Sequence, residues 1–181
     1  MDRRQKKTRA AIFRAFTELL KKKPYSRITV QEIIDMADIG RTTFYAHFET
    51  RDDLLKSLCT EIFEHVFSEE PVKEKTHDFS GNHDTRAIIK HILYHLQEHM
   101  DYLPGILSGE SDDIFMSFFK EHLKKLFCRA GKRADRSVPQ DYIMNHMVCS
   151  FAETVRWWTR NKRYSPEEIS AFFTAAVPLL A

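Results

Sequence analysis

Apolar residues recur at intervals of three and four along most of the chain, the spacing that predicts amphipathic α-helices. The first such segment extends from about Arg3 to Lys22 and is followed by Pro24, a residue that ends helices. Further segments cover about 51–67, 86–103, 111–128 and 139–160, and a last one follows Ser165. Sustained alternation of apolar and polar positions, which would indicate strands, does not occur. The pattern therefore predicts an all-helical fold.

One stretch, residues 29–51, differs from these long segments because it contains two short helices separated by a tight turn. Thr29 followed by Glu32 is the signature of a helix N-terminal capping box. The break falls at residues 38–40, and the second helix, 41–47, is polar apart from Phe44. Two short helices joined in this way predict a helix-turn-helix, which also occurs as a plain structural element.

Composition and charge bear on where the protein acts and on the kind of partner it binds. The 181 residues are 43% hydrophobic and 30% charged, and no apolar run approaches the roughly 20 residues that span a bilayer. We therefore expect a cytoplasmic protein without a membrane partner. Residues 1–51 contain 12 Lys/Arg and 6 Asp/Glu, a net charge of +6, whereas residues 52–181 contain 16 and 20, a net charge of −4. The basic excess accompanies the helix-turn-helix and favours a polyanionic partner.

The three cysteines, Cys59, Cys128 and Cys149, are widely spaced and lie in apolar segments, so we expect buried thiols and no disulfide. Residues 68–85 are rich in polar residues and predict a connection between two parts of the chain. The sequence lacks a glycine-rich phosphate loop, paired catalytic carboxylates and an ordered nucleophile set. We therefore predict that the chain is not an enzyme and uses no cofactor.

A specific motif lies in the helix-turn-helix. Residues 37–48 read Ala-Asp-Ile-Gly-Arg-Thr-Thr-Phe-Tyr-Ala-His-Phe, and residues 51–55 read Arg-Asp-Asp-Leu-Leu. Through these two stretches, the segment Thr8 to Leu55 resembles the DNA-binding domain of the TetR family of transcriptional regulators. The chain departs from the family pattern at Asp38, which replaces the usual turn glycine, and at Gly40, which replaces the usual capping serine.

The resemblance implies about nine helices, with a three-helix DNA-binding domain at residues 1–50 and a larger helical effector-binding and dimerisation domain at residues 51–181. It also implies which side chains contact DNA. Arg41, Thr42 and Thr43 would approach bases, and the phosphates would be contacted by Thr29, Tyr45, His47 and Arg51. Family members bind a near-palindromic operator as homodimers, most often as repressors that a small molecule releases.

Dimerisation in the family uses the last two long helices. The corresponding aromatic and apolar residues in this chain are Phe151, Trp157, Trp158, Phe172, Phe173 and Val177. An effector pocket is expected in the same domain, and its candidate residues are Phe63, Phe67, Leu96, His99, Phe115, Phe119, His122, Tyr142 and His146. A packed core would explain these pocket candidates equally well.

Two alternatives remain open. His91, His95 and His99 follow one another at four-residue spacing and could chelate a metal or line a ligand pocket, although no carboxylate or thiol completes an evident ligand set, and we predict no metal site. Relatives of the same fold also act as co-activators or protein-interaction modules through another regulator. The operator, the effector and the sign of regulation cannot be read from the sequence.

Overall fold

The structure is a computed structural model that describes residues 3–66, 85–130 and 138–177. These residues form nine α-helices and a 3₁₀ turn, and the all-helical prediction is confirmed. The elements are α1 (Arg3–Lys22), the 3₁₀ turn (Tyr25–Arg27), α2 (Val30–Ala37), α3 (Arg41–Tyr45), α4 (Arg51–Val66), α5 (Thr85–Glu98), α6 (Leu103–Ile106), α7 (Glu110–Ala130), α8 (Gln140–Arg160) and α9 (Pro166–Ala176). None of these helices is long and apolar enough to cross a membrane.

The described chain forms two compact units, one made of residues 1–62 with 101–115 and the other of residues 63–100 with 116–181. This division differs from the predicted boundary at residue 50, because α4 stays with the first unit as far as Ile62 and the chain returns to that unit at Asp101. The predicted connection at 68–85 lies almost entirely outside the described residues, as does Phe67.

The core of the first unit is built on the apolar stripe of α1. Phe13 and Phe16 are buried in that stripe, together with Ile12, Ala15, Leu19 and Leu20. The ring of Phe13 lies 5.6 Å from that of Phe48, and Phe48 lies 6.0 Å from Phe44. Helix α1 packs on α2, and the ring of Phe48 links Phe13 of α1 to Phe44 of the short helix α3.

Helix α6 also packs on α1 within the first unit, and the contact is unusually close at Gly105. A Cβ atom at this position would lie only 2.2 Å from the carbonyl oxygen of Leu20. The carbonyl of Leu20 is near the end of α1, and Pro24 four residues later lacks the N–H group that would continue the helical hydrogen bonding. Gly105 is therefore a position where the absence of a side chain lets two backbones approach.

The second unit contains α5, α8 and α9, with α9 packed on both other helices. Phe151 on α8 occupies its centre, with ring centroids 4.9 Å from Phe173, 6.1 Å from Phe119 and 6.2 Å from Phe127. Helix α9 begins with a capping box between Ser165 and Glu168 and with proline at its first position, as the sequence indicates. The thiols follow the expectation in part: Cys59 is fully buried, which raises its pKa to about 12, whereas Cys149 is half-buried and the Cys128 side chain lies outside the described set.

Candidate nucleic-acid interface

Helix α2 starts at a complete capping box. The Thr29 hydroxyl accepts a hydrogen bond from the backbone N–H of Glu32, and the Glu32 carboxylate accepts one from the backbone N–H of Thr29 at 2.9 Å. Lys23 donates a further hydrogen bond to Glu32. The Lys23 contact and the Thr29 bonds together lower the pKa of Glu32 to about 2. Thr29 itself is exposed at this helix start, where backbone N–H groups favour anions.

The turn between α2 and α3 uses the two residues at which the chain departs from the family motif. Asp38 has φ 52° and ψ 53°, the left-handed conformation that the usual glycine would adopt without strain. Gly40 precedes α3 in an extended conformation and forms no side-chain cap. The turn geometry is thus kept with a strained aspartate, and α3 begins without a capping hydroxyl.

Helix α3 has one buried and one exposed side. Phe44 is fully buried against Phe48, whereas Arg41 and Thr42 are exposed and Tyr45 is 47% exposed. Thr43 and His47 are half-buried, and His47 follows the helix, which ends at Tyr45 and not at His47 as predicted. The buried phenylalanines fix the helix on its unit, so the arginine, the threonines and the tyrosine hydroxyl can reach a partner.

Arg51 has a different position from the phosphate contact that we expected. Its guanidinium lies over the ring of Tyr25 at 4.1 Å and donates hydrogen bonds to the backbone carbonyls of Tyr25, at 3.1 Å, and of Ile28. The Tyr25 hydroxyl in turn donates to Asp52. Burial, and then this contact with Asp52, raise the Tyr25 pKa well above its ordinary value. Arg51 therefore holds the start of α4 to the loop before α2.

Arg9, a cation of the basic segment at the start of α1, has a supporting role in the first unit. Its guanidinium lies 4.8 Å from the ring centroid of Phe13 and 5.0 Å from that of Phe48, and its Nε atom lies 3.3 Å from a carboxylate oxygen of Glu61. It thereby covers the aromatic core behind α3. Arginine in a basic segment indicates surface charge, and only the fold reveals that this one packs on aromatic rings.

Comparison with known proteins identifies the architecture. Residues 12–58 match the model of the N-terminal region described as bacterial regulatory proteins of the tetR family, and residues 83–178 match a transcriptional regulator C-terminal region of the same family. The chain belongs to the TetR family. It is thus a DNA-binding transcriptional regulator, and membership in a family of regulators confirms the prediction that it is not an enzyme.

Individual TetR-family relatives support the assignment. A TetR transcriptional regulator from Streptococcus agalactiae 2603V, known from its crystal structure, is 30% identical, with a TM-score of 0.76 over 97% of this chain and 96% of that one. An uncharacterised helix-turn-helix regulator, YerO of Bacillus subtilis strain 168, is 26% identical over 89% of this chain and 60% of its own length.

A third relative is DhaS of Lactococcus lactis subsp. lactis strain IL1403, the activator of the dhaKLM operon. It is 37% identical over 62 residues, which are 34% of this chain and 31% of that protein. The matches span only 19% to 60% of the length of the curated relatives.

The residues predicted for the TetR-type effector pocket are brought together only in part. In the second unit, the ring of Phe63 stacks on Phe119 at 5.4 Å and lies 5.4 Å from the half-buried His122, whose Nδ1 atom is 2.8 Å from the carbonyl of Phe118. Leu96 is buried and His99 half-buried in the same unit, whereas the buried Phe115 belongs to the first unit. Tyr142 and His146 do not join this cluster as interior residues, because both are exposed and stack on each other at 6.4 Å.

The predicted dimer residues fall into two groups. Four of them belong to the protomer's own core and have almost no surface for a partner: Phe151, Trp158, Phe173 and Val177. The Trp158 indole, for example, donates its N–H to the Tyr164 carbonyl at 2.8 Å. Trp157 and Phe172 are each 45% exposed, and both contact the ring of Tyr164. Only this exposed pair remains available for the predicted contact.

Two of the three histidines that follow one another at four-residue spacing, His91 and His95, are in contact. The rings of His91 and His95 lie 4.4 Å apart, and Nδ1 of the fully buried His95 is 3.9 Å from a carboxylate oxygen of Glu98. Within the three described ranges, no group of three histidine, cysteine or acidic side chains converges in a way that could hold a metal ion. The contact between His91 and His95 is ring packing on α5, and lining of a ligand pocket by the three histidines stays a prediction.

Proposed function

We propose that this TetR-family regulator binds a near-palindromic operator as a homodimer and acts as a repressor that a small molecule releases. The observation that carries the DNA-binding part is the arrangement of α3, with Phe44 buried behind it and Arg41 and Thr42 exposed in front. An α-helix that presents such side chains fits the major groove of B-DNA.

The proposed contacts divide by chemistry. Arg41 and the hydroxyls of Thr42 and Thr43 read bases, since arginine recognises guanine through two acceptors. Thr29, Tyr45 and His47 contact phosphates, which fixes the register of the helix without reading sequence. Arg51 supports these contacts through its bonds to the preceding loop and is not part of either set.

The homodimer supplies the second recognition helix, because one short helix makes too few contacts for useful specificity. A groove of about 380 Å³ lies between α8 and α9, and Trp157 and Phe172 are among its lining residues. Exposed aromatic side chains beside such a groove favour burial against a second copy. DNA binding also implies that the protein acts in the cytoplasm, where bacterial DNA is found.

For the effector, the best-supported location is the part of the second unit around Phe63, Phe119 and His122, where aromatic rings surround a half-buried imidazole. Leu96, His99, Phe115, Phe67, Tyr142 and His146 remain predictions for this role. A ligand that binds one protomer conformation more tightly shifts the population away from the operator-competent state. No metal is required for this mechanism.

A second candidate is transcriptional activation. The similarity to DhaS, an operon activator, favours it. The resemblance to the family also implies the alternative that the chain acts through another regulator. Repression and activation both act through the first unit, but they change the expression of the promoter in opposite directions. A promoter fusion measured with and without the regulator distinguishes them, since repression raises expression on deletion and activation lowers it.

Selection of double-stranded DNA from a random pool tests the proposal directly. We expect enrichment of a near-palindrome with half-sites about one helical turn apart. Arg41→Ala should weaken binding to the selected site by about 1–3 kcal/mol and relax one base preference, whereas Tyr45→Phe should weaken specific and non-specific binding alike. Met36→Ala, an exposed change on α2, is the matched control. A pool without an enriched palindrome would refute operator binding and favour the protein-interaction alternative.

Sedimentation analysis tests the homodimer. Trp157→Ala combined with Phe172→Ala should shift the protein toward monomer, because both side chains lose exposed aromatic area without opening the buried core. Tyr142→Ala, which removes a 64% exposed aromatic at the other end of α8, serves as the control. Equal dimer stability in the double variant and the wild type would show that the interface lies elsewhere.

A further inference from the structure

The first two turns of α1 expose a cluster of four cations, Arg3, Arg4, Lys6 and Lys7, which we call the basic turn. Among the described residues, none of the four side chains forms an ion pair or a hydrogen bond. Arg9, the next cation, differs because Glu61 pairs with it. The basic turn thus holds four positive charges that no side chain in the described ranges pairs with.

Helix stability does not account for these charges. The N-terminal end of a helix carries the positive end of the helix dipole, which favours acidic side chains and disfavours cations. Helix α1 has no acidic residue in its first turn, whereas α4 begins with Asp52 and Asp53 and α9 with Glu167 and Glu168. The basic turn therefore opposes the dipole of α1, so stabilisation of this helix does not explain the four cations.

The fold places the basic turn beside the end of α3. Arg9 lies over the ring of Phe48, and the ring of His47 is 6.3 Å from that of Phe48. At about 1.5 Å per residue, Arg3 begins only about 9 Å along the helix from Arg9. The basic turn therefore lies in the same unit as His47 and within two helical turns of Arg9, which packs on the neighbouring Phe48.

We propose that the basic turn binds the DNA backbone next to the base pairs that α3 reads, and so lengthens the operator contact of each protomer beyond the helix-turn-helix. The inference rests on the operator binding proposed above. Exposed arginine and lysine side chains on a helix end suit phosphates, which need charge and not sequence-specific geometry. The basic turn should therefore add affinity and salt dependence without adding base preference.

The test compares two variants that lose the same charge. In the first variant, the four cations of the basic turn are all replaced by glutamine. In the second, four exposed cations outside the basic turn are replaced in the same way: Lys21, Lys22, Lys124 and Lys125. Binding to the selected operator is measured between about 50 and 200 mM salt. Each lost phosphate contact reduces the slope of log affinity against log salt by about 0.9.

Affinity falls as salt rises from about 50 to 200 mM. If three of the four cations contact phosphate, the factor by which the wild-type affinity falls should be about 40 times the factor for the basic-turn variant. The preference for operator over random DNA should not change, and the footprint should shorten at its outer ends. The control variant should keep the wild-type slope. The inference is overturned, while operator binding stands, if the basic-turn variant keeps the wild-type slope of log affinity against log salt. It is also overturned if the slope changes equally in the basic-turn variant and the control variant. Wild-type protein that binds no operator would overturn both proposals.

Discussion

Replacing Gly105 by alanine tests the close packing of α6 on α1. In an unobstructed helix this substitution stabilises by about 0.5–1 kcal/mol, because alanine loses less backbone entropy than glycine. Here the new Cβ atom would lie 2.2 Å from the Leu20 carbonyl oxygen and 3.0 Å from its carbonyl carbon, so one backbone must move by about 1 Å. Overpacking of this kind costs about 1–3 kcal/mol, and here the obstacle is backbone. We therefore expect a net loss of about 2 kcal/mol.

Urea unfolding at fixed protein concentration measures this loss. Both tryptophans lie in α8, so their fluorescence follows the second unit, whereas circular dichroism follows all helices. The Gly105→Ala variant should unfold at lower urea by circular dichroism, with a smaller change in fluorescence. Gly109→Ala is the control, because nothing lies within 4 Å of its Cβ position and only its φ of 76° opposes the change. Unchanged or increased stability of Gly105→Ala would refute the close approach of α6 to α1.

Three further predictions concern the helix-turn-helix. Arg51→Met should lower the free energy of unfolding by about 2 kcal/mol, since two carbonyls lose a charged donor, yet leave the salt dependence of DNA binding unchanged; a slope lower by about one would instead indicate a phosphate contact. The pKa of Glu32 is lowered from 4.5 to about 2, so the stability from its capping contacts should be present above about pH 4.5 and fall as the pH drops toward 2. Glu32→Gln should abolish this part of an acid-unfolding curve. Asp38→Gly should raise stability by up to about 1 kcal/mol by removing left-handed strain, and a destabilised variant would mean that the aspartate side chain has a role of its own.

Local signals in the sequence predicted much of this fold. The residues at each capping box, Thr29 with Glu32 and Ser165 with Glu168, act within one helical turn, so their spacing alone predicts where α2 and α9 begin. The left-handed residue Asp38 lies in the break predicted at residues 38–40, and Phe44, the apolar aromatic of the predicted second helix, is the buried residue of α3.

Contacts between distant residues were not predictable in this way. Arg51 reaches back 26 residues to the Tyr25 carbonyl, and a charged residue in a recognised motif looks the same whether it faces a phosphate or a carbonyl. Trp157 and Trp158 are adjacent and equally aromatic, but only the second enters the core. The four-residue helix α6 is too short for a periodic pattern, and apart from Leu103 it falls between the predicted segments 86–103 and 111–128.

The Gly105 contact also affects the order in which the chain can fold during synthesis. The first unit is completed by residues 101–115, so a nascent chain that has just finished the helix-turn-helix still lacks the helix that packs on the end of α1. N-terminal domains usually fold as units while the rest is being made. The ribosome must therefore extend the chain from residue 62 to residue 115, almost twice as far, before the first unit is complete. A shortened product that ends near residue 62 would hold α3 in an incomplete unit.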